Sequence, residues 1–64
     1  MNIKVISKLI VNDMVYNIGD YVEVTTKWDA IEGKLVHMTH DKIFVRPIGN
    51  IPYDIYLENI LDVK

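Results

Sequence analysis

Apolar positions in this chain alternate with polar ones more often than they recur every third or fourth residue. The clearest case is Tyr21 to Lys27, where Val22 and Val24 alternate with Tyr21, Glu23 and Thr25. A period of two marks a half-buried strand, because successive strand side chains point to opposite faces of a sheet. Gly19-Asp20 breaks the preceding run and starts this one. Upstream, the pattern predicts a strand from Ile3 to Val11, its alternation blurred by Ile6 and Ile10, so that its end carries apolar contacts on both faces. Asn12-Asp13 reads as a turn, since both residues tolerate left-handed backbone and can bond their own main chain. Met14 to Ile18 is then the hairpin partner of the first strand.

Downstream, Lys27-Trp28-Asp29-Ala30 is polar except for the indole and reads as a loop. Gly33 to Met38 and Lys42 to Pro47 form the next hairpin, turning at Thr39-His40-Asp41. One register sets Lys34 opposite Arg46, a like-charge pair that costs stability. Shifting by one residue sets Leu35 opposite Phe44, and this second register is the expected one. Pro47-Ile48-Gly49-Asn50 is a further turn, followed by a strand from Ile51 to Tyr56 with Ile51, Tyr53 and Ile55 on one face. Pro52 has no N–H to give a ladder, which puts this strand at an edge or starts it there. Leu57 to Ile60 makes one tight helical turn, and Leu61 to Val63 a closing strand. No window long enough for an amphipathic helix carries a helical period. The expected fold is all-β: a small, partly open antiparallel barrel of five or six short strands, with one short helical turn near the C-terminus. Residues 1–64 form a single domain.

Composition supports that class and limits its resources. Half of the 64 residues are apolar, with Ile and Val dominant, and β-branched side chains suit a pleated surface better than a helix. A domain of this size buries only about 60% of its unfolded surface. With no cysteine, it has no disulfide or thiolate ligand to reinforce it. Seven Lys and Arg face nine Asp and Glu, a net of −2. Nucleic-acid binders usually carry a basic surplus, because counterion release supplies much of their affinity. The N-terminal residues lack a signal-peptide pattern, and no uncharged stretch approaches the roughly 20 residues of a membrane-spanning helix. The expectation is an intracellular, cytoplasmic protein with no membrane partner.

From Ile18 to Val63 the chain resembles the small SH3-like barrels, including the KOW-type and Sm-like modules. The marks are Gly19-Asp20-x-Val22 opening a strand, Gly33 at the start of the next, Lys42-Ile43-Phe44-Val45 after a tight turn, and the leucine-led turn Leu57 to Ile60 before the last strand. It lacks the basic surplus and second glycine of a KOW-type loop. It also lacks the paired Asp/Asn and Arg/Gly sites of Sm-like rings, and its acidic residues do not follow the peptide-binding SH3 arrangement. The resemblance implies a binding module rather than an enzyme, and fold alone warrants no more.

The residues that could bind are few. Trp28 either folds over the open end of the barrel, as aromatic burial in a small domain favours, or stands out as a recognition surface. Tyr21 and Tyr56 point away from the core by alternation. With Trp28 they would make an aromatic platform, although tyrosine is also an ordinary strand residue. Lys34, Lys42 and Arg46 are the one positive cluster, placed on one hairpin. They could contact phosphates, or simply keep sheet edges from pairing. His37, His40 and Asp41 lack a fourth partner for zinc, and histidines three apart on a strand face opposite ways. Ser7 lies in a strand without a glycine-rich elbow, and the carboxylate pairs Asp29 and Glu32, and Asp54 and Glu58, sit in ordinary solvated contexts. No cofactor and no catalysis are expected. The expected function is protein binding through Trp28, Tyr21 and Tyr56. The alternatives are weak nucleic-acid binding through Lys34, Lys42 and Arg46, or a homodimer built on the apolar strand near Leu9 and Ile10.

Overall fold

The computed structural model describes residues 2–64. The chain is all-β, with one 3-10 turn and two antiparallel sheets. The first sheet is a meander of β1 (Ile3–Val5), β2 (Leu9–Val11) and β3 (Met14–Tyr16). The second sheet contains β4 (Tyr21–Thr26), β5 (Ala30–Met38), β6 (Lys42–Arg46), β7 (Tyr53–Tyr56) and β8 (Ile60–Val63). Its spatial order is β7-β6-β5-β4-β8, and it curls into a half-barrel. The curled sheet alone accounts for five strands, and the N-terminal segment adds three short ones.

The expected strand from Ile3 to Val11 is in fact two strands. The chain reverses at Ile6-Ser7-Lys8, where Ser7 has φ 59° and the Ile6 N–H donates to the Lys8 carbonyl at 3.0 Å. Ser7 is therefore a turn residue, not a strand residue. The reversal also explains the blurred alternation: Ile6 belongs to the turn and is exposed, whereas Leu9 and Val11 resume the pattern and are buried. Asn12 takes φ 54° in the next turn, and its side-chain oxygen accepts the Asn2 N–H at 3.1 Å.

One core joins the sheets. Leu9 and Val11 from the meander meet Val22 and Val24 of β4, Leu35 of β5, Ile43 and Val45 of β6, Ile55 of β7, and Ile60 and Val63 of β8. The Tyr16 hydroxyl donates to the Val63 carbonyl at 3.3 Å and ties the meander to the closing strand. Burying Leu9 removes it from any self-association surface. The apolar side chains that this segment exposes are Ile6, Met14 and Val15.

β5 is the longest strand because it serves both halves of the curl. Ala30 to Lys34 pair with β4, and Lys34 to Met38 pair with β6. Gly33 sits at the corner, where a Cβ would lie 2.6 Å from the Arg46 carbonyl carbon and 2.7 Å from the Pro47 nitrogen. Only glycine lets the two backbones approach this closely.

The β5–β6 register corrects the sequence expectation. Lys34 lies opposite Arg46 and Leu35 opposite Val45; a bulge at Val36 then brings His37 opposite Phe44. Cross-strand partners share a face, so placing Leu35 opposite Phe44 would put an inward side chain against an outward one. Burying Leu35 and Val45 contributes about 1.5–3 kcal/mol each, whereas an exposed like-charge pair costs well under about 1 kcal/mol. Burial decides the register and forces the two cations together.

The strand expected from Ile51 starts only after Pro52: β7 begins at Tyr53 and lies at the sheet edge, and Ile51 is exposed outside it. The 3-10 turn Leu57–Asn59 lies where the leucine-led turn was expected. It is anchored at both ends: the Leu57 N–H donates to the Asp41 carbonyl at 2.9 Å, and the Lys27 N–H donates to the Asn59 carbonyl at 3.0 Å. No helix among the described residues is long and apolar enough to cross a membrane.

Candidate functional site

The β4–β5 connection is built on Thr26, the one buried polar side chain among the described residues. Its backbone N–H donates to the Asp29 carbonyl at 2.7 Å. Its hydroxyl oxygen accepts the Trp28 and Asp29 N–H groups, each at 3.1 Å, and donates to the Asp29 carboxylate at 2.9 Å. One hydroxyl therefore satisfies the turn's own polar groups, as serine and threonine do in tight turns. The turn is held firmly, yet the indole it carries stays largely exposed.

Trp28 is 75% exposed, so it does not cap the barrel. Instead it borders an open cleft of about 220 Å3 between the β4–β5 turn and the edge strand β7. Trp28, Tyr53 and Tyr56 supply its aromatic rings, and Asp29 and Asp54 its charges. Ile31 and Ile55 contribute apolar surface, and Asn59 comes from the 3-10 turn. A second cleft, lined by Asn50, Ile51 and Pro52, continues from the first and shares Tyr53 and Asp54 with it.

Lys42 lies beside this cleft, and its charge is already engaged. Its Nζ lies 3.4 Å from the Asp54 carboxylate and 5.3 Å from the ring centroids of both Tyr56 and Phe44. Register explains the grouping, because Lys42 pairs with Tyr56 and Phe44 with Asp54 across β6 and β7. His37 closes the row with its ring 5.2 Å from Phe44, and no group of three metal-ligating side chains forms among the described residues.

The remaining predicted residues gather elsewhere. Tyr21 pairs with Lys34 and Lys34 with Arg46, making a straight row across β4, β5 and β6. The row borders a cleft of about 340 Å3 with Pro47, Ile48 and Gly49. Tyr21 opens β4 and Trp28 lies in the turn beyond its other end at Thr26, about 17 Å away along the strand, so the expected three-ring platform with Tyr21 does not form. Lys42 is likewise about 13 Å along β6 from Arg46, and the expected triple basic cluster reduces to Lys34 and Arg46. Lys42–Asp54 is the one salt bridge among the described residues, so neither Lys34 nor Arg46 has a carboxylate partner there.

Sequence reasoning singled out Trp28 and Tyr56, left Tyr53 as an ordinary strand tyrosine, set Asp29 and Asp54 aside as solvated carboxylates, and gave Thr26 no role. Tyr53 and Tyr56 are three apart and face opposite ways on a flat strand. They reach one cleft because it wraps around the free edge of β7. The Pro52 edge signal, read together with two tyrosines on that strand, was the clue available. No family model, curated protein or solved structure matches this chain.

Proposed function

We propose that this chain is a non-catalytic interaction module of the SH3-like barrel type, which binds a protein partner through the Trp28–Tyr53–Tyr56 cleft. The curled five-stranded sheet and the 3-10 turn before the last strand support the barrel resemblance. The observation that carries the function is the exposed tryptophan on a turn ordered by a buried hydroxyl, beside two tyrosines. Tryptophan and tyrosine in a pre-ordered patch are the usual anchors of protein interfaces, since little conformational freedom is lost on binding. The test is affinity capture on the immobilised protein and two variants. A protein retained by the wild type and by Arg46→Ala, but lost on Trp28→Ala, is the expected result.

The row Tyr21–Lys34–Arg46 favours a second reading, a weak nucleic-acid contact. Two unpaired cations beside a tyrosine could meet a phosphate and a base. Amide NMR titration with mixed single-stranded DNA and RNA separates the readings. Shifts confined to this row that fade steeply with salt would replace the protein reading. An unchanged spectrum at millimolar oligonucleotide removes the second.

A further inference from the structure

The Trp28 cleft carries more chemistry than an apolar contact requires. It sets three aromatic rings beside two carboxylates, and none of its lining residues is cationic. The face of an aromatic ring is electrically negative, so rings and carboxylates favour the same kind of guest. The protein displays this preference beside the cleft, where the Lys42 ammonium rests over Tyr56 while bonded to Asp54. Asp29 uses Oδ1 for the Thr26 hydroxyl and Asp54 uses Oδ2 for Lys42, so each carboxylate keeps a second oxygen able to accept from a newcomer.

Between the two cationic side chains, arginine fits this setting better. Its guanidinium is planar and weakly hydrated, stacks on aromatic faces, and offers N–H groups in a fork to carboxylates. An ammonium is more strongly hydrated, and the open cleft supplies few acceptors to replace its water. The cleft, about 220 Å3 and open to solvent, has room for a side-chain head. The adjoining Ile51–Pro52 surface would meet the residues flanking that side chain in a peptide.

We propose that this cleft recognises an arginine side chain of the protein partner, stacked on Trp28 and bonded to Asp29 and Asp54. The proposal rests on the protein-binding reading and names the group that enters. Trp28 is the sole tryptophan, so its fluorescence reports on the site directly. The full chain is titrated with a blocked Gly-Arg-Gly peptide, with the same peptide carrying citrulline, and with its lysine counterpart. Citrulline keeps the planar shape and loses the charge.

The arginine peptide is expected to shift Trp28 emission and the amide signals of Tyr53, Tyr56 and Asn59. It should bind about five- to tenfold more tightly than the citrulline peptide, the range of one partly exposed cation–π contact. Trp28→Leu, followed by NMR, keeps an apolar side chain but removes the ring, and should lower arginine binding to the citrulline level. Equal affinity for arginine and citrulline, tighter binding of lysine, shifts confined to other surfaces, or no response at millimolar peptide would each overturn the proposal. The protein reading is judged separately: it survives any of these results if Trp28→Ala still loses the captured partner, and fails if that variant retains it.

Discussion

The Trp28 cleft and the Tyr21–Lys34–Arg46 row are assembled from similar residues and differ in what surrounds them. Each puts aromatic and charged side chains on one small barrel. Beside the cleft, Lys42 meets Asp54 and lies over Tyr56 and Phe44, and Thr26 orders the turn that presents Trp28. In the row, two cations oppose each other because Leu35 and Val45 must both be buried. The row's geometry is thus a by-product of the core, whereas the cleft's geometry is held by polar contacts of its own. Hydrogen bonds organised around a side chain that stays exposed are a stronger sign of use than charges that packing has pushed together.

Disturbing what holds each region should separate them. The largest effect is expected from Gly33→Ala, since the added methyl group meets backbone atoms of Arg46 and Pro47 that cannot rotate away. Overpacking a rigid site costs about 3 kcal/mol, a large share of what so small a core provides. Urea unfolding should show a markedly lower midpoint. An unchanged midpoint would mean that β5 and β6 separate freely at the corner. Thr26→Val comes next. It preserves shape but leaves the Trp28 and Asp29 N–H groups without their acceptor, which costs about 1–3 kcal/mol. Thermal unfolding measures the loss, and partner binding should weaken beyond what instability explains, because the turn no longer holds Trp28 in place. Gly33→Ala, by contrast, should leave the Trp28 turn intact in whatever fraction remains folded.

How much of this was legible depended on whether local chemistry or tertiary packing decided the outcome. Gly19-Asp20, Asn12-Asp13, Pro52 and the Leu57 turn declare themselves locally, and each lies where the sequence put it. The Ile6–Lys8 reversal did not, because Ser7 in left-handed backbone carries none of the glycine or asparagine signal that usually marks such a turn. The β5–β6 register failed for another reason: a charge rule worth tenths of a kcal/mol was set against core burial worth several times more. The loop position of Trp28 is legible from its polar neighbours. Its exposure is not, since that depends on how a threonine hydroxyl closes the turn. The grouping of Tyr53 with Trp28 depends on the curl of the sheet, which brings the far edge strand round to the β4–β5 turn.

Charge reversal in the row gives the smallest effect and the sharpest contrast. Arg46→Glu sets a carboxylate opposite Lys34 in place of a second cation, and an exposed cross-strand pair of opposite charge is worth about 0.2–1 kcal/mol. Stability should therefore rise by about 0.5 kcal/mol at low salt. The gain should shrink as the screening length falls from about 10 Å at 0.1 M salt to about 3 Å at 1 M. Matched urea titrations at the two ionic strengths measure it. A stabilised variant that keeps its protein partner would mark the row as a packing consequence. A variant that loses stability at both salt concentrations would show that the Arg46 stem contributes by contact rather than by charge. If stability rises but partner binding disappears, the row belongs to the interface, and the mild repulsion between Lys34 and Arg46 is retained because something anionic relieves it in the complex.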